Sequence, residues 1–581
     1  MTSLAKSALI GGCVRTVLIL STPEAVCQDL LWYNTWEYQA QGPHIHSFRD
    51  GPLAINALGE TYMASQLRGS IDVDPGPGIS VLSSGTGSST SSTCLSKFDQ
   101  NGTWIWTKRI GNSISQPHAI ALDPAGNVYM SGMFKGTVDF DPGPGVVNHT
   151  SAGEDDIFVM KLDPDGEHMW SCSFGTTEGV EGGWDLAVDA SGNAFVMVSA
   201  RGTIDVDPGP GVEPFTPAGQ LTSIVKLDAQ GELVWARSVD LNGSSYSNWH
   251  IAVDGSGSVL MTGQYAGASV DVDPGPGVTY LPHDPLRPNS VFIVKWDAQG
   301  ELLWARAIAG AIPGHLACDA DDHVLVTGNA IEDIDLDPGP GVQLCDPGNA
   351  LNTSWVLKLD PLGTHVWSTM WTTNSIVQAQ DVVADQNGNV IVGGLYDSAM
   401  DLAPGPLVVP GPSVSSGHSS FITALDPSGA YLWSGELGGG QHDAYVEHMA
   451  IAPDNGLRIS GWFFGAMDMD PGPGSTTYSG PLTRQSTMLL GLAGMNGPSG
   501  MPTTIKSAAN LYPVPTDGPL TITHPEAIAF INIRDLRGRS VHTVRPGMER
   551  TSIDLAALPA GCYMVEIMGT TFREQHTIVK R

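Results

Sequence analysis

The amino-acid sequence predicts an all-β protein: a seven-bladed β-propeller closed by an N-terminal strand, followed by a small C-terminal β-sandwich. Three observations predict this fold class. A heptapeptide recurs at nearly constant spacing, the intervals contain short apolar runs bounded by Asp/Gly turns, and a strand pattern present at the N-terminus is missing from the last repeat. Because a repeat unit cannot bury its apolar face alone, such units stack on their neighbours.

The heptapeptide reads Asp-Val-Asp-Pro-Gly-Pro-Gly at 72–78 and recurs six more times with little change. Its opening aspartates are Asp72, Asp139, Asp205, Asp271, Asp335, Asp401 and Asp468. Successive copies are separated by 67, 66, 66, 64, 66 and 67 residues. This regular spacing indicates seven structural units, each longer than the roughly 40 to 50 residues of common propeller repeats.

Each unit contains the strands of one propeller blade. In the second unit, apolar runs at 119–122, 128–132, 157–162 and 167–170 are separated by turns such as Asp-Pro-Ala-Gly-Asn at 123–127 and by the heptapeptide. Four short strands joined by Asp/Gly turns are typical of a blade. The segment at 83–93, rich in Ser, Thr and Gly, is predicted to be a loop.

A strand that ends in tryptophan also occurs seven times, but out of phase with the other strands. Its copies end at Trp32, Trp106, Trp170, Trp235, Trp304, Trp367 and Trp433. The first copy precedes the first inner strand, whereas no such strand follows the last repeat at 488–492. We therefore expect the strand near Trp32 to complete blade 7 and close the ring, an offset that an open solenoid would not need. The tryptophans are expected to pack between blades.

The composition restricts the possible partners. The formal net charge is −33 at pH 7, with 60 Asp and Glu against 27 Lys and Arg. Nucleic acids and anionic membranes need clustered basic residues, so they are excluded as partners, and cations are the natural counterparts. The seven cysteines form neither a disulfide framework nor a metal-binding spacing.

Four segments follow from these patterns. Residues 1–27 resemble a secretory signal peptide, with basic residues, a short apolar run and a small-residue end at Ala25-Val26-Cys27. Residues 28–497 form the propeller, 498–509 a linker rich in Pro and Gly, and 510–581 a second domain. No later run is long enough to span a bilayer, so we expect a soluble or surface-held mature protein that is a monomer.

The last segment resembles the C-terminal sorting domain of proteins exported by the type IX secretion system of the Bacteroidetes. The motifs that carry the resemblance are Tyr-Pro-Val-Pro-Thr-Asp-Gly at 512–518, Asp-Leu-Arg-Gly-Arg at 535–539, Leu-Pro-Ala-Gly-Cys-Tyr at 558–563 and the terminal Lys-Arg. Val514 replaces the Asn of the family pattern. The resemblance implies recognition of residues 510–581 by the type IX machinery, passage through the outer membrane, cleavage of the tail, and release or surface attachment.

The heptapeptide is a candidate calcium loop. Asp residues at i and i+2 of a strand point to one side, and Ca²⁺ prefers oxygen ligands. The candidate ligands are Asp72, Asp74, Asp139, Asp141, Asp205, Asp207, Asp271, Asp273, Asp335, Asp337, Asp468 and Asp470. Two carboxylates are few for this ion, and the alternative is that the aspartates cap their own turn while Pro and Gly shape it. The sixth copy has Ala403 and Leu407 for the second Asp and last Gly, so it should not bind metal.

Four residues are candidates for a ligand site at the propeller axis. Aligning the units on the Asp that follows the inner strand places Asp185, His250, His315 and Asp381 at equivalent positions of four consecutive blades. We expect them at the channel mouth, on the same face as the heptapeptides. Two imidazoles and two carboxylates could hold a metal or a polar ligand, and the alternative is a solvated rim in which each residue caps its strand.

The sequence favours a secreted, non-catalytic propeller that binds a protein or a carbohydrate at the cell surface. No nucleophile elbow, zinc-protease motif or phosphate loop is present in the sequence. A hydrolase or lyase acting on polysaccharide or peptide through the channel residues is the first alternative, and a structural surface or matrix component is the second. Near-identical units favour binding, because catalysis needs one asymmetric constellation.

Overall fold

The computed structural model describes residues 29–37, 47–49, 51–84, 90–111, 113–177, 182–200, 203–209, 211–215, 221–239, 250–287, 289–330, 332–345, 352–404, 408–411, 414, 417–438, 443–472, 475–481, 485–494, 510–512, 519–528, 530–534, 540–545, 548–559, 561–568 and 573–580. The chain divides into two compact units between Asn496 and Gly497. The expected signal peptide (1–27) and linker (498–509) lie outside the described residues.

The first unit is a seven-bladed β-propeller, which confirms the predicted fold. Each blade is an antiparallel sheet of four main strands. From the innermost strand outwards, blade 1 contains Leu53–Ile55, Thr61–Arg68, Ser91–Phe98 and Trp104–Ile110; blade 2 contains Ile114–Leu122, Val128–Lys135, Asp156–Leu162 and His168–Phe174. In the same order, blade 3 contains Gly182–Val188, Ala194–Ala200, Leu221–Leu227 and Leu233–Ser238; blade 4 contains His250–Val253, Val259–Ala266, Asn289–Trp296 and Leu302–Ala309; blade 5 contains Ala311–Cys318, Val324–Ala330, Asn352–Leu359 and His365–Thr373. Blade 6 contains Val377–Ala384, Val390–Tyr396, Ser419–Leu425 and Tyr431–Leu437, and blade 7 contains Ala444–Ile451, Gly456–Phe464, Gln485–Gly494 and Leu30–Glu37. In blade 1 the short strand Ser47–Arg49 also pairs with Thr61–Arg68.

The N-terminal strand closes the ring. Leu30–Glu37 pairs antiparallel with Gln485–Gly494, so it is the outermost strand of blade 7. The innermost strands of blades 7 and 1 contact each other, as do those of every other neighbouring pair of blades. The closure that the offset of the Trp32 strand predicted is therefore confirmed.

Apolar side chains fill the spaces between adjacent blades. One buried cluster joins Phe195 and Met197 of blade 3 to Val259 and Met261 of blade 4. The middle strands of a blade are buried on both faces, which explains why they read as continuous apolar runs instead of alternating ones.

The recurring tryptophan of the outermost strand connects each blade to the next. Nε1 of Trp170 in blade 2 donates to the carbonyl oxygen of Ala229 in blade 3 at 3.1 Å. The same bond joins Trp32 to Gln100, Trp235 to Ala298, Trp304 to Pro361 and Trp367 to Pro427. The ring lies over the turn glycine of the next blade: a Cβ on Gly231, whose φ is +87°, would lie 2.9 Å from the Trp170 ring. The tryptophans pack between blades, as the sequence predicts.

The heptapeptide forms the tip of a hairpin inserted between the second and third strands of its blade. The paired strands are Ser70–Asp72 with Val81–Ser83, Thr137–Asp139 with Asn148–Thr150, Ile204–Asp205 with Pro214–Phe215, Val270–Asp271 with Tyr280–Leu281, Ile334–Asp335 with Leu344–Cys345, and Ala466–Asp468 with Thr477–Ser479. In blade 6, the described part of the hairpin contains a bridge between Asp401 and Pro410. The residues on either side of the first Asp, such as Val138 and Phe140, are fully buried. The apolar residues at these two positions anchor the hairpin of each blade to the propeller body.

The second unit contains two antiparallel sheets. Asn510–Tyr512, Pro519–Ile528 and Met548–Asp554 form one sheet, and Phe530–Arg534, Ser540–Val544, Gly561–Met568 and Arg573–Lys580 form the other. Leu520 and Ile522 of the first sheet share a buried cluster with Ile531, Ile533 and Val565 of the second. The sandwich topology itself stays a prediction.

Candidate functional site

Each blade has one equivalent residue within its innermost strand or, in blade 1, directly before it. Each lies four residues before the position whose backbone N–H closes the turn to the second strand. We call these seven residues the belt: Pro52, Ala119, Asp185, His250, His315, Asp381 and His448. In blades 2, 3, 6 and 7 the belt residue directly follows a β-bulge, which turns the local side chains away from the regular alternation.

The structure brings the four predicted site residues into one line of contacts. Asp185 Oδ2 lies 3.4 Å from His250 Nδ1. The rings of His250 and His315 have centroids 4.6 Å apart. His315 Nδ1 lies 2.9 Å from Asp381 Oδ1. The polar part of the belt therefore runs without a break from blade 3 to blade 6.

His448 extends this line into blade 7, and the sequence alignment missed it. That alignment used the turn Asp as its reference, and blade 7 has Ala452 there. Ala452 still makes the same turn, with its N–H donated to Gly456 O at 2.7 Å. Counting four residues back from the turn, whatever its residue type, would have found His448.

Both belt aspartates also tie adjacent blades together. Asp185 accepts the N–H of Leu186 at 2.8 Å and that of Ile251, in blade 4, at 2.9 Å. Asp381 accepts the N–H groups of Val382 at 2.7 Å and of Met449, in blade 7, at 2.6 Å. Each carboxylate is therefore fixed by backbone donors from two blades, with both of its oxygens in use.

Burial and charge set the protonation of the belt. Burial would raise the pKa of Asp381, but His315, His448 and the Met449 N–H stabilise its anion and hold that pKa below its ordinary value. Burial lowers the pKa of His315, yet the charges of Asp381 and Asp185 outweigh it, and the pKa is raised overall. Burial dominates at His448 and lowers its pKa. Two imidazoles of one belt thus take up protons at different pH.

An exposed tryptophan lies beside the belt. Trp184 is the extra residue of the blade 3 bulge, between Gly183 and Asp185, and 52% of its surface is exposed. Its ring stacks on His118 of blade 2, with centroids 4.9 Å apart and planes within 3°. His118 Nδ1 lies 3.1 Å from Gly183 O, an acceptor, which indicates that Nδ1 carries the proton and holds the imidazole in place. The sequence gives no signal for this stack, because it depends on bulges in two strands.

The predicted position of these residues at a channel mouth shared with the heptapeptides stays a prediction. Asp185 and Asp381 lie in the middle of their innermost strands, whereas His250 is the first residue of its strand. The hairpins start on the predicted face but fold back along the outside of the blade. In blade 2 the tip residue Gly143 approaches Glu167, in the turn between the third and fourth strands, because a Cβ on Gly143 would lie 3.2 Å from Glu167 Oε2. That turn is on the opposite face, since successive strands of a blade are antiparallel.

The first Asp of the heptapeptide closes the hairpin. In blade 3, Asp205 Oδ1 accepts the N–H of Asp207 at 3.1 Å and that of Glu213 at 2.9 Å. The equivalent pair of bonds is present in all seven blades, including Asp401 of blade 6, which accepts from Ala403 and Val409. This Asp serves the hairpin itself.

The second Asp is coupled to the last Gly. Asp207 Oδ1 accepts the N–H of Gly209 at 2.8 Å, and a Cβ on Gly211 would lie 2.1 Å from Asp207 Oδ2. The carboxylate thus occupies the space that a side chain at 211 would need. Blade 6 lacks both partners, with Ala403 and Leu407 in their places. Where Ala replaces the second Asp, no carboxylate occupies this space, so the last position of the heptapeptide no longer needs to be Gly.

The described residues do not assemble a metal site. Within those ranges, no three His, Cys, Asp or Glu side chains converge as a metal ion would require. In the hairpins, Oδ1 of both aspartates already accepts backbone N–H groups. Calcium binding by the twelve hairpin aspartates stays a prediction.

Three kinds of comparison relate the chain to known proteins. Residues 510–581 match the family model of the secretion system C-terminal sorting domain. An uncharacterized WD repeat-containing protein of Acanthamoeba polyphaga mimivirus is 22% identical over 356 residues, which are 52% of this chain and 26% of that protein. The match thus spans about a quarter of the curated relative.

The solved structures that are similar to this chain include the following three proteins. The Dos1 propeller is 10% identical with a TM-score of 0.36, covering 80% of this chain and 96% of its own. A PL25 ulvan lyase, a polysaccharide lyase, is 11% identical with a TM-score of 0.39, covering 77% and 98%. PorZ, a bacterial surface component of the type IX secretion system of Porphyromonas gingivalis, is 9% identical with a TM-score of 0.24, covering 94% and 100%.

The match of residues 510–581 confirms the sorting domain that the sequence motifs indicated. Among the described residues, no helix has the length and apolar character needed to cross a membrane. The protein is therefore a β-propeller with a C-terminal sorting domain, exported by the type IX secretion system to the cell surface or beyond it.

Proposed function

We propose that this secreted propeller is a non-catalytic binding protein that takes a carbohydrate at the belt. The observation that carries the proposal is Trp184, an aromatic ring more than half exposed at the innermost strand and held flat by His118. A flat, rigid aromatic face suits the apolar face of a sugar ring. The adjoining imidazoles of His250 and His315, which are partly exposed, offer donors and acceptors for hydroxyl groups.

The asymmetry of the belt supports a ligand site. Blades 1 and 2 have Pro52 and Ala119 at positions where blades 3 to 7 have acidic residues or histidine. The repeat architecture thus accepts small uncharged residues there and does not need the polar ones. Residues that break a repeat on one side of an axis create a directional site, which a ligand of defined orientation requires.

The geometry favours binding over catalysis by the belt aspartates. Both oxygens of Asp185 and of Asp381 accept backbone N–H groups. Carboxylates held in this way keep their position and their charge, but they are poorly placed to attack a substrate or to exchange protons with it. They orient a ligand and the neighbouring imidazoles.

One observation favours a second candidate, a hydrolase or lyase of the same fold. The pKa of His315 is raised and that of His448 is lowered by their surroundings. Groups whose pKa values are pushed apart in one site can act as general acid and general base. A polysaccharide or peptide cleaved between these imidazoles would make the protein an enzyme.

A screen of the full-length secreted protein against glycan and peptide arrays tests the proposal. We expect glycans to bind, and Trp184→Ala to weaken binding at least tenfold. Tyr33→Ala is the matched control, because Tyr33 is an exposed aromatic residue on an outermost strand, remote from the belt. Binding of peptides alone, or full binding by Trp184→Ala, would overturn the carbohydrate assignment. Cleavage of a bound glycan that His315→Ala abolishes would establish the enzyme instead.

A further inference from the structure

The hairpins expose an apolar side chain at the same position in six of the seven blades. The residue directly after the heptapeptide is aliphatic, and its exposed fraction ranges from 61% to 83%. These residues are Ile79, Val146, Val212, Val278, Val342 and Val408. A single exposed Val is ordinary, but six in register around one circumference form a repeated surface.

A second apolar residue extends this surface in most blades. Side chains alternate along the outer hairpin strand, so the residue two positions later faces the same way. The resulting pairs are Ile79 and Val81, Val212 and Pro214, Val278 and Tyr280, Val342 and Leu344, and Val408 and Pro410. All of these residues are exposed. Blade 2 has Val146 with Asn148, and blade 7 has Ser475 with Thr477.

The fold does not require these apolar residues. The inward-facing neighbours, such as Val138 and Phe140 in blade 2, already anchor the hairpin in the core. Blade 7 forms the same hairpin, with Ala466–Asp468 paired to Thr477–Ser479, while presenting Ser475 and Thr477 outward. Because architecture accepts polar residues at this position, the aliphatic residues of the other blades point to a contact.

Carboxylates lie close to the apolar faces. Both heptapeptide aspartates are present in blades 1 to 5, blade 6 has Asp401 and Ala403 at these positions, and in blades 2, 3 and 4 a glutamate from the neighbouring turn reaches the hairpin tip. A Cβ on Gly143, Gly209 or Gly275 would lie 3.2, 3.8 or 3.7 Å from Oε2 of Glu167, Glu232 or Glu301. With a net charge of −33, two copies of the chain repel each other, so a second copy does not suit this surface. An occupant must combine apolar and basic groups.

We propose that the hairpin faces form a multivalent docking surface for a partner protein whose exposed aliphatic side chains are flanked by Lys and Arg. The apolar contact supplies burial, and the carboxylates of the hairpins in blades 1 to 5 orient the basic groups. Because five blades present the full apolar pair, several equivalent contacts with one partner add their effects through a high effective concentration. This surface is separate from the belt and does not depend on the carbohydrate assignment.

The probe is a labelled synthetic peptide of alternating Val and Lys, titrated against the full-length protein by fluorescence anisotropy. We expect binding of several peptides per chain that weakens as salt is added. In the variant, Ile79, Val212, Val278, Val342 and Val408 become Ser, while Val81, Pro214, Tyr280, Leu344 and Pro410 become Thr. These replacements copy blade 7, so the hairpins keep residues that they already accept. Affinity for the Val/Lys peptide should fall at least tenfold.

Three controls separate the proposal from its alternatives. A Ser/Lys peptide of equal charge should bind the wild-type protein at least tenfold more weakly than the Val/Lys peptide. The variant should keep the far-ultraviolet circular dichroism spectrum and the cooperative thermal unfolding of the wild type, which shows that the propeller is folded. Equal binding of both peptides would overturn the proposal, because charge alone would then explain the interaction. Self-association that increases with salt and disappears in the variant would assign the surface to a second copy and also overturn it.

Discussion

The first Asp of the hairpin and the belt residue each occupy one equivalent position in every blade. The residue type is the same in all blades at the hairpin position, whereas it varies at the belt position. The first hairpin Asp is present in all seven copies and makes the same two bonds in each. The belt changes from Pro52 and Ala119 to acidic residues and histidine. The repeated position serves the architecture, and the varied position is free to serve a ligand.

The same distinction separates the tryptophans. Those of the outermost strands recur in every blade, and five of them donate to a carbonyl of the next turn, as Trp235 does to Ala298 at 3.1 Å. Trp184 occurs once, at a bulge, and is exposed. Tryptophan thus packs between blades at one position of the repeat and is exposed at another, and the position within the repeat distinguishes the two cases.

The largest effect should come from the strand that closes the ring. Trp36 is 3% exposed, and its Nε1 donates to Val73 O at 3.2 Å. Trp36→Ala should reduce the free energy of unfolding by about 3–5 kcal/mol, the usual cost of emptying a buried tryptophan site. Thermal unfolding followed by near-ultraviolet circular dichroism measures this. Trp184→Ala should change stability by less than about 0.5 kcal/mol. Equal losses in the two variants would contradict the distinction between packed and exposed tryptophans.

Two of the three belt histidines, His315 and His448, should change the stability with pH in opposite directions. A raised pKa means that His315 contributes stability below about pH 6.5 and loses that contribution as the pH rises through its folded-state value. The lowered pKa of His448 means that it reduces stability below about pH 6.5, where the unfolded chain takes up the proton more readily. Relative to wild type, His315→Gln should therefore be destabilised more at about pH 5.5 than at about pH 8, and His448→Gln should gain stability at the lower pH. Unfolding temperatures of both variants across this pH range test the prediction. If pH changed the stability of both variants in the same direction, the opposite pKa shifts of His315 and His448 would be refuted.

A double-mutant cycle in one hairpin should show that the second Asp and last Gly act together. Gly211→Ala should cost about 1 kcal/mol, because the new Cβ displaces the Asp207 carboxylate from the Gly209 N–H. In an Asp207→Ala background the same change should cost almost nothing, as in blade 6. Denaturant unfolding of the four proteins gives the interaction energy. Additive losses would show that the two residues are independent.

Calcium should have the smallest effect. Since Oδ1 of each aspartate in the Asp205–Asp207 pair accepts backbone N–H groups, the hairpin holds its shape without a cation. We expect unfolding temperatures with added calcium and in EDTA to differ by less than about 1 °C, because a cation that the folded protein does not bind leaves its stability unchanged. A rise of several degrees that Asp205→Asn with Asp207→Asn reduces would instead establish a metal site.

The repeat made most of the fold predictable, because spacing, turn residues and the displaced Trp32 strand all depend on local sequence. The four belt residues were predictable for the same reason, since they keep a fixed distance from a turn. His448 was missed where the reference Asp becomes Ala452. The Trp184 stack and the back-folded hairpins were not predictable, because both depend on contacts between segments that the sequence does not place relative to one another.

Isothermal titration calorimetry with an array-selected oligosaccharide tests the central claim most directly. The wild-type protein and the hairpin variant Asp207→Ala should bind the sugar equally well, whereas Trp184→Ala should lose at least about 1.4 kcal/mol of binding free energy, a tenfold change in affinity. All three proteins should unfold at temperatures that leave them fully folded during the titration. Unchanged affinity in Trp184→Ala would contradict the assignment of the belt as the carbohydrate site.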